Sequence, residues 1–232
     1  NDPIGFMYVL DENIAAVRAA EAIVDPTQRV STGLRNDVIQ PLVIRANLGD
    51  CVQINFTNRL LTPASLHVQG LAYEMSSAGS AVGLNPSSMV APGASTVYRY
   101  SIPSDVTAEG AYYFYSHGAS RVEVSHGLFG ALIAEPAGSR YLNAETGAEL
   151  RSGWQAIIDT PNGPDFREFA ILFHEIGDEK TELFDASGAK LPVLDAKISG
   201  AYRPGSRAIN YRSEPFMDRL MLVGDKSMVY SS

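Results

Sequence analysis

The stretch Cys51–Thr57 reads CVQINFT and alternates strictly, with Val52, Ile54 and Phe56 on one parity and Cys51, Gln53, Asn55 and Thr57 on the other. Successive side chains leave a strand on opposite sides, so period two with one apolar set predicts a half-buried β-strand. The same grammar recurs. Phe6–Leu10, Pro41–Ala46, Ser65–Val68, Thr96–Ile102, Ala111–Ser116 and Leu128–Glu135 read as further strands. Turn signals stand between several of them: Leu48-Gly49-Asp50, Pro92-Gly93, Pro103-Ser104-Asp105 and Glu109-Gly110. A chain of short strands can cover its apolar faces only by stacking sheets or closing one, which implies a sandwich or a barrel. Only Asn13–Ile23 and the stretch Arg140–Leu150 read as weakly helical.

Composition shifts after Glu135-Pro136. Residues 137–164 are rich in Gly, Ala, Ser, Asn and Pro and read as a linker with a short helical piece. A new β pattern opens at Phe166 with FREFAILFHEI and continues through AINYRSEPF and RLMLVGD. This second block is short beside the ~100 residues of an independent sandwich domain. The expected organisation is a first domain over 1–148, a linker over 149–164 and a partial second domain over 165–232.

Apolar residues make up 45% of the 232-residue chain and charged ones 19%, enough material for a core. The formal charge of −8 and the lack of any basic run argue against a nucleic-acid backbone as partner. No apolar run reaches the roughly 18 residues of a membrane span. The opening Asn1-Asp2-Pro3 is not a signal-peptide pattern, which leaves a cytoplasmic, a mature secreted or a trimmed chain. Cys51 is the single cysteine, so neither an intrachain disulfide nor a multi-cysteine metal site can form. We read it as a small, partly buried apolar residue. Asn55-Phe56-Thr57 is a formal glycosylation sequon, but it falls inside a predicted strand.

Four histidines carry the chemistry that the sequence offers: His67, His117, His126 and His174. On a strand, positions i and i+2 share a face. His67 and Gln69 therefore project side by side, as do Tyr115 and His117. Two strands with polar-tipped pairs at matching offsets are what a metal cluster between sheets requires, and imidazole suits copper, zinc, iron and nickel. Set against this, a lone strand histidine is most often structural. His126 reads as a loop residue, with metal ligation the lesser alternative. His174 begins His174-Glu175-Ile176-Gly177-Asp178, and Asp178 stands where a zincin helix needs its second histidine, which excludes a protease of that type. The aromatic run Tyr112–Tyr115 has no basic residues between its rings and reads as packing rather than a base-stacking surface. Asp105, Glu109 and Glu123 either line a substrate path or solvate loops. No Ser-His-Asp arrangement, phosphate loop or dinucleotide fingerprint is present.

The surrounding words are more specific. Ser65-Leu66-His67-Val68-Gln69-Gly70-Leu71 resembles the L-H-W-H-G-L element of multicopper oxidases. Ala111–His117, AYYFYSH, resembles their T-Y-W-Y-H-S-H element, and Gly127–Ile133, GLFGALI, resembles the G-L-x-G-x-L-I strand that follows. Val90-Ala91-Pro92-Gly93 is similar to the I-x-P-G turn between them, and Gly49-Asp50 with its strand to the upstream G-D-x-V. Order and spacing agree over roughly residues 40 to 136. The resemblance implies an all-β, cupredoxin-like Greek-key β-sandwich, followed by the start of a second cupredoxin-like domain. It implies copper as cofactor, dioxygen as electron acceptor, and a small molecule or a metal ion as reductant. It also implies an extracytoplasmic setting, secreted or periplasmic.

Carried over residue by residue, His67 matches a type 2 copper ligand and His117 a ligand of one type 3 copper. Gln69 and Tyr115 stand at the two positions that serve the other type 3 copper. Both departures converge on one metal, and neither an amide nor a neutral phenol replaces imidazole well at copper. The resemblance therefore implies a centre reduced to one or two coppers, or a fold that keeps a vestigial site. The family's type 1 element, H-C-H, is absent, and no histidine flanks Cys51. Catalytic residues are expected to be incomplete in this chain alone. Histidines from a C-terminal cupredoxin domain or a neighbouring subunit, including a homo-oligomeric one, would complete the site. The opposing reading is a non-catalytic structural cupredoxin module with a degenerate copper site.

Overall fold

A computed structural model describes residues 5–22, 38–118, 123–124 and 126–173. Residues 41–124 and 128–171 form one compact unit, and this unit holds all ten described strands. They are β1 (Leu42–Asn47), β2 (Cys51–Thr57), β3 (His67–Val68), β4 (Ala72–Tyr73), β5 (Ser95–Ser101), β6 (Gly110–Tyr115), β7 (Phe129–Glu135), β8 (Arg140–Leu142), β9 (Gln155–Asp159) and β10 (Phe166–Phe169).

Three sheets result. One has the order β1-β7-β6-β3, a second β2-β5-β4 and a third β10-β9-β8. The chain changes sheet between β1 and β2, between β2 and β3, between β3 and β4, between β5 and β6, and passes to the third sheet after β7. These crossings, with β1 parallel to β7 and the other pairs antiparallel, are Greek-key connectivity on an all-β sandwich. Where a strand sits in its sheet explains its burial. β7, flanked by β1 and β6, is buried at every position and reads as an apolar run, FGALIA, closed by the buried Glu135. β2 pairs with β5 alone and alternates exposed with half-buried along its whole length. The core gathers Tyr98 and Tyr100 of β5, Phe114 of β6, Leu132 of β7 and Val43 of β1, each at most 1% exposed.

Four expectations need correction. Phe6–Leu10 forms no strand; Phe6 makes one backbone bond, its N–H to the carbonyl of His126, and apolar content without a partner strand builds no ladder. Arg140–Leu150 is a hairpin rather than a helix. Asn143 folds it by accepting the N–H groups of Glu145 and Thr146 on Oδ1, and Leu150 N–H returns to the Tyr141 carbonyl. That Asx turn is local chemistry which outcompetes a weak helix preference. The stretch read as linker contains β9, paired on both sides by β8 and β10. Cys51 is exposed, because the alternation of β2 places it with Gln53, Asn55 and Thr57 rather than with the apolar face. The helix expected near the N-terminus forms as α1 (Ile14–Glu21), with Arg18 paired to Glu21. His174 and nearly all of the second β pattern lie outside the described residues.

Candidate metal centre

The register of β3 against β6 builds the site. His67 stands directly opposite Tyr115, and Val68 opposite Phe114. Phe114 and Val68 point inward and are fully buried, so His67 and Tyr115 share the other side of the pair. Two residues on, His117 brings its ring alongside: the His67 and His117 centroids lie 4.7 Å apart at 33°. His117 Nδ1 is 2.9 Å from the Tyr115 hydroxyl. Tyr73 of β4 meets His67 edge-on at 5.0 Å, and Tyr100 does so at 6.4 Å. His67 thus lies at the centre of four rings.

The electrostatics of this centre are those of a dry, neutral imidazole. His67 is 8% exposed. Burial, then the neighbouring His117, lower its pKa from the ordinary histidine value, while the Ala78 backbone acts weakly the other way. The ring therefore stays uncharged at neutral pH. Its Nδ1 is buried and makes no hydrogen bond of good geometry, although the Ala78 backbone lies near enough to the ring to act on it. A buried nitrogen left unsatisfied costs about 1–3 kcal/mol; Arg45 Nε is the other such atom among the described residues, but of the two only the imidazole nitrogen has a lone pair to offer an ion.

A hydroxyl relay holds the loop after β6. Ser65 Oγ accepts the His117 backbone N–H at 3.0 Å, and Ser65 N–H donates to Ser116 Oγ at 3.1 Å. Ser116 Oγ donates to the buried Glu123 carboxylate at 3.0 Å, and Thr62 Oγ1 donates to its other oxygen at 3.1 Å. Gly118 is required for close approach. A Cβ there would stand 2.6 Å from Met89 Sδ and 2.7 Å from the Gly79 carbonyl. The sequence reading missed Ser65, Ser116, Tyr73, Tyr100 and Met89 as parts of the site, and it left Glu123 undecided between two roles. Only the β3–β6 register could have found Ser65 and Ser116, since no short motif joins them.

Of the expected ligands, the structure brings His67 and His117 together. Tyr115 lies beside them with its phenol on His117. Gln69 is exposed and continues the ladder through its N–H to the Tyr113 carbonyl. His126 is buried and packs its ring on Phe6 at 6.3 Å. Among the described residues no group of three or more His, Cys, Asp or Glu side chains could hold an ion. The donor chemistry present, two imidazoles with one buried and unpartnered nitrogen, fits part of a copper centre completed from elsewhere and does not supply all four positions that the family's two elements carry.

Parallel β1–β7 pairing, Greek-key crossings and a histidine pair between strands define a cupredoxin-like sandwich with a candidate copper half-site. A family model described as multicopper oxidase matches residues 17–139, just over half of the chain, and the chain belongs to that family. It is 32% identical over 135 residues to the "Probable nitrite reductase-hydroxylamine oxidoreductase fusion protein" of Kuenenia stuttgartiensis, covering 57% of this chain and 13% of that protein. It is 29% identical over 132 residues to the multicopper oxidase MmcO of Mycobacterium tuberculosis, covering 56% of this chain and 23% of that one. A third relative, at 25% over 191 residues, is the venom prothrombin activator omicarin-C non-catalytic subunit of Oxyuranus microlepidotus, with 75% of this chain and 12% of that protein covered. Among solved structures, a multicopper oxidase from Pseudomonas thermotolerans aligns with a TM-score of 0.36 at 24% identity, over 44% of this chain and 23% of that one. The chain spans a quarter or less of each of these proteins. Among the described residues no helix is long and apolar enough to cross a membrane.

Proposed function

We propose that this chain is the N-terminal cupredoxin region of a copper-dependent oxidoreductase, and that any second such domain begins after Ile171, since Phe166–Phe169 pairs with β9 in the first unit. That enzyme takes electrons from a small reducing molecule or metal ion and passes them to dioxygen, in an extracytoplasmic compartment. The observation that carries the reading is the buried, unpartnered Nδ1 of His67 beside His117. His67 and His117 would hold copper, which when bound supplies the one-electron redox chemistry. The chain's own residues prepare the place. Burial keeps His67 neutral, so no proton competes for its nitrogen. Tyr73 and Tyr100 wall that ring from water. Ser65 fixes the backbone from which His117 projects. Further histidines come from a C-terminal cupredoxin domain or a neighbouring subunit.

The test is copper stoichiometry by elemental analysis after Cu(II) loading and desalting, on this chain and on the longer protein. The expected result is weak retention by the chain, firm retention by the longer protein, and loss in His67→Ala and His117→Ala. Copper that washes off both, or is unaffected by either substitution, supports the second reading, a non-catalytic cupredoxin scaffold. Gln69 and Tyr115 favour that second reading, as does similarity to a relative described as a non-catalytic subunit.

A further inference from the structure

Tyr115 stands where the resemblance places a histidine, yet its phenol is engaged. The hydroxyl is 2.9 Å from His117 Nδ1, and the two rings meet edge-on at 5.4 Å. Tyr115 is itself held. It stacks on Tyr113 at 5.2 Å and 24°, Tyr113 stacks on Phe129 at 6.2 Å, and the strand register sets Tyr115 opposite His67. His117 is therefore gripped three times: by Ser65 Oγ at its backbone N–H, by the face of His67, and by the phenol at Nδ1. The first two leave the ring free to turn over about its Cβ–Cγ bond. Among the described residues, only the phenol distinguishes the two ring nitrogens.

We propose that Tyr115 is a positioning residue for His117: its phenol oxygen holds Nδ1 and so presents Nε2, and not Nδ1, as the nitrogen beside His67. This rests on the reading of His67 and His117 as copper ligands. In the metal-free ring the bond runs either from the hydroxyl to Nδ1 or from Nδ1–H to the hydroxyl oxygen, and whichever direction it takes fixes one tautomer. An ion on Nε2 leaves the imidazole proton on Nδ1, and the phenol oxygen then accepts it, the usual second partner of a ligating histidine. The residue that removes one metal position thereby orients the ligand of another.

The test uses the full chain with ¹⁵N-labelled histidine, first without metal. In the wild type, His117 is expected to show one tautomer with Nδ1 hydrogen-bonded. In Tyr115→Phe, which keeps the stacking, its two nitrogen signals should average toward a mixture while His67 is unchanged. Cu(II) titration of the same proteins should then show binding weakened about 10–100-fold in Tyr115→Phe, with the two-imidazole coupling pattern retained in the electron paramagnetic resonance spectrum. Tyr115→Gln, whose amide oxygen can accept, should restore part of both signals. A tautomer mixture in the wild type, unchanged His117 shifts in Tyr115→Phe, or a phenolate-to-copper absorption band in the loaded wild type would each overturn the role. A changed tautomer with no copper held by either protein upholds the positioning and overturns the copper reading above.

Discussion

Two buried polar clusters lie in the same unit, and they are built in opposite ways. Around Arg45 the groups are charged and mostly matched. Arg45 of β1 reaches Glu168 of β10 at 2.6 Å, Glu135 of β7 at 3.3 Å and the Gly153 carbonyl at 3.1 Å. One cation cannot neutralise two carboxylates, so burial and the proximity of Glu168 push Glu135 up to about 8, against the pull of Arg45. At His67 the group is an uncharged imidazole, and its Nδ1 is buried without a hydrogen bond. The first cluster is a clasp that fastens β10 of the third sheet to β1 and β7 of the first. Each cluster leaves one buried nitrogen without a hydrogen bond, Arg45 Nε in the first and His67 Nδ1 in the second, but a guanidinium N–H has no lone pair to give an ion and an imidazole nitrogen has.

The largest expected effect lies at the clasp. Arg45→Ala leaves the Glu168 carboxylate and the Gly153 carbonyl without their donor and should cost about 3 kcal/mol, read as a lower midpoint in urea unfolding. Adding Glu168→Leu should recover part of it; failure to recover would show that Arg45 acts through packing on Tyr141, 5.9 Å from its guanidinium, and not through charge. Next comes pH. The folded protein holds the Glu135 proton more tightly than the unfolded chain does. This group's contribution is therefore fully present below the ordinary carboxylate pKa and is lost as pH rises through about 8. Midpoints measured from pH 5 to 9 should fall with rising pH, and Glu135→Gln should flatten the slope. Glu168, Arg45 and Glu109 are the charges that face Glu135, so Glu168→Gln should lower its pKa as well.

At the histidine pair the sign reverses. His67→Leu removes an unsatisfied nitrogen and should leave stability within about 1 kcal/mol of the wild type or raise it, while abolishing any copper retention. A loss as large as that of Arg45→Ala would mean that His67 is structural, and the contrast between the clusters would collapse. The smallest effect is expected at Cys51→Ser, within about 0.5 kcal/mol, because the side chain is exposed.

Much of the sandwich is legible in the chain. The alternation of CVQINFT sets β2 with its apolar face inward, and the apolar run FGALIA announces a strand covered on both sides. What misled was local. Phe6–Leu10 has strand composition but no neighbour to pair with. Arg140–Leu150 has helix-tolerant residues, but Asn143 captures two backbone N–H groups and turns the chain. For Cys51, residue type suggests burial, but its parity along β2 places it outside. At the candidate site, His67, Gln69, Tyr115 and His117 can be picked out from the i, i+2 rule and the family words. The support around them cannot, because Ser65, Ser116 and Glu123 are joined only by folding.

The sequence by itself determined an all-β chain, the family to which it belongs and the two histidines at issue. Short-range periodicity and motif order suffice for these, since both are written in consecutive residues. Only the tertiary structure decided that His67 keeps a bare nitrogen, that the Tyr115 phenol lies on His117, and that Glu135 and Glu168 share one arginine. Each of these is a contact across strands distant in the chain. Their register, desolvation and charge balance exist only once the sheets have formed.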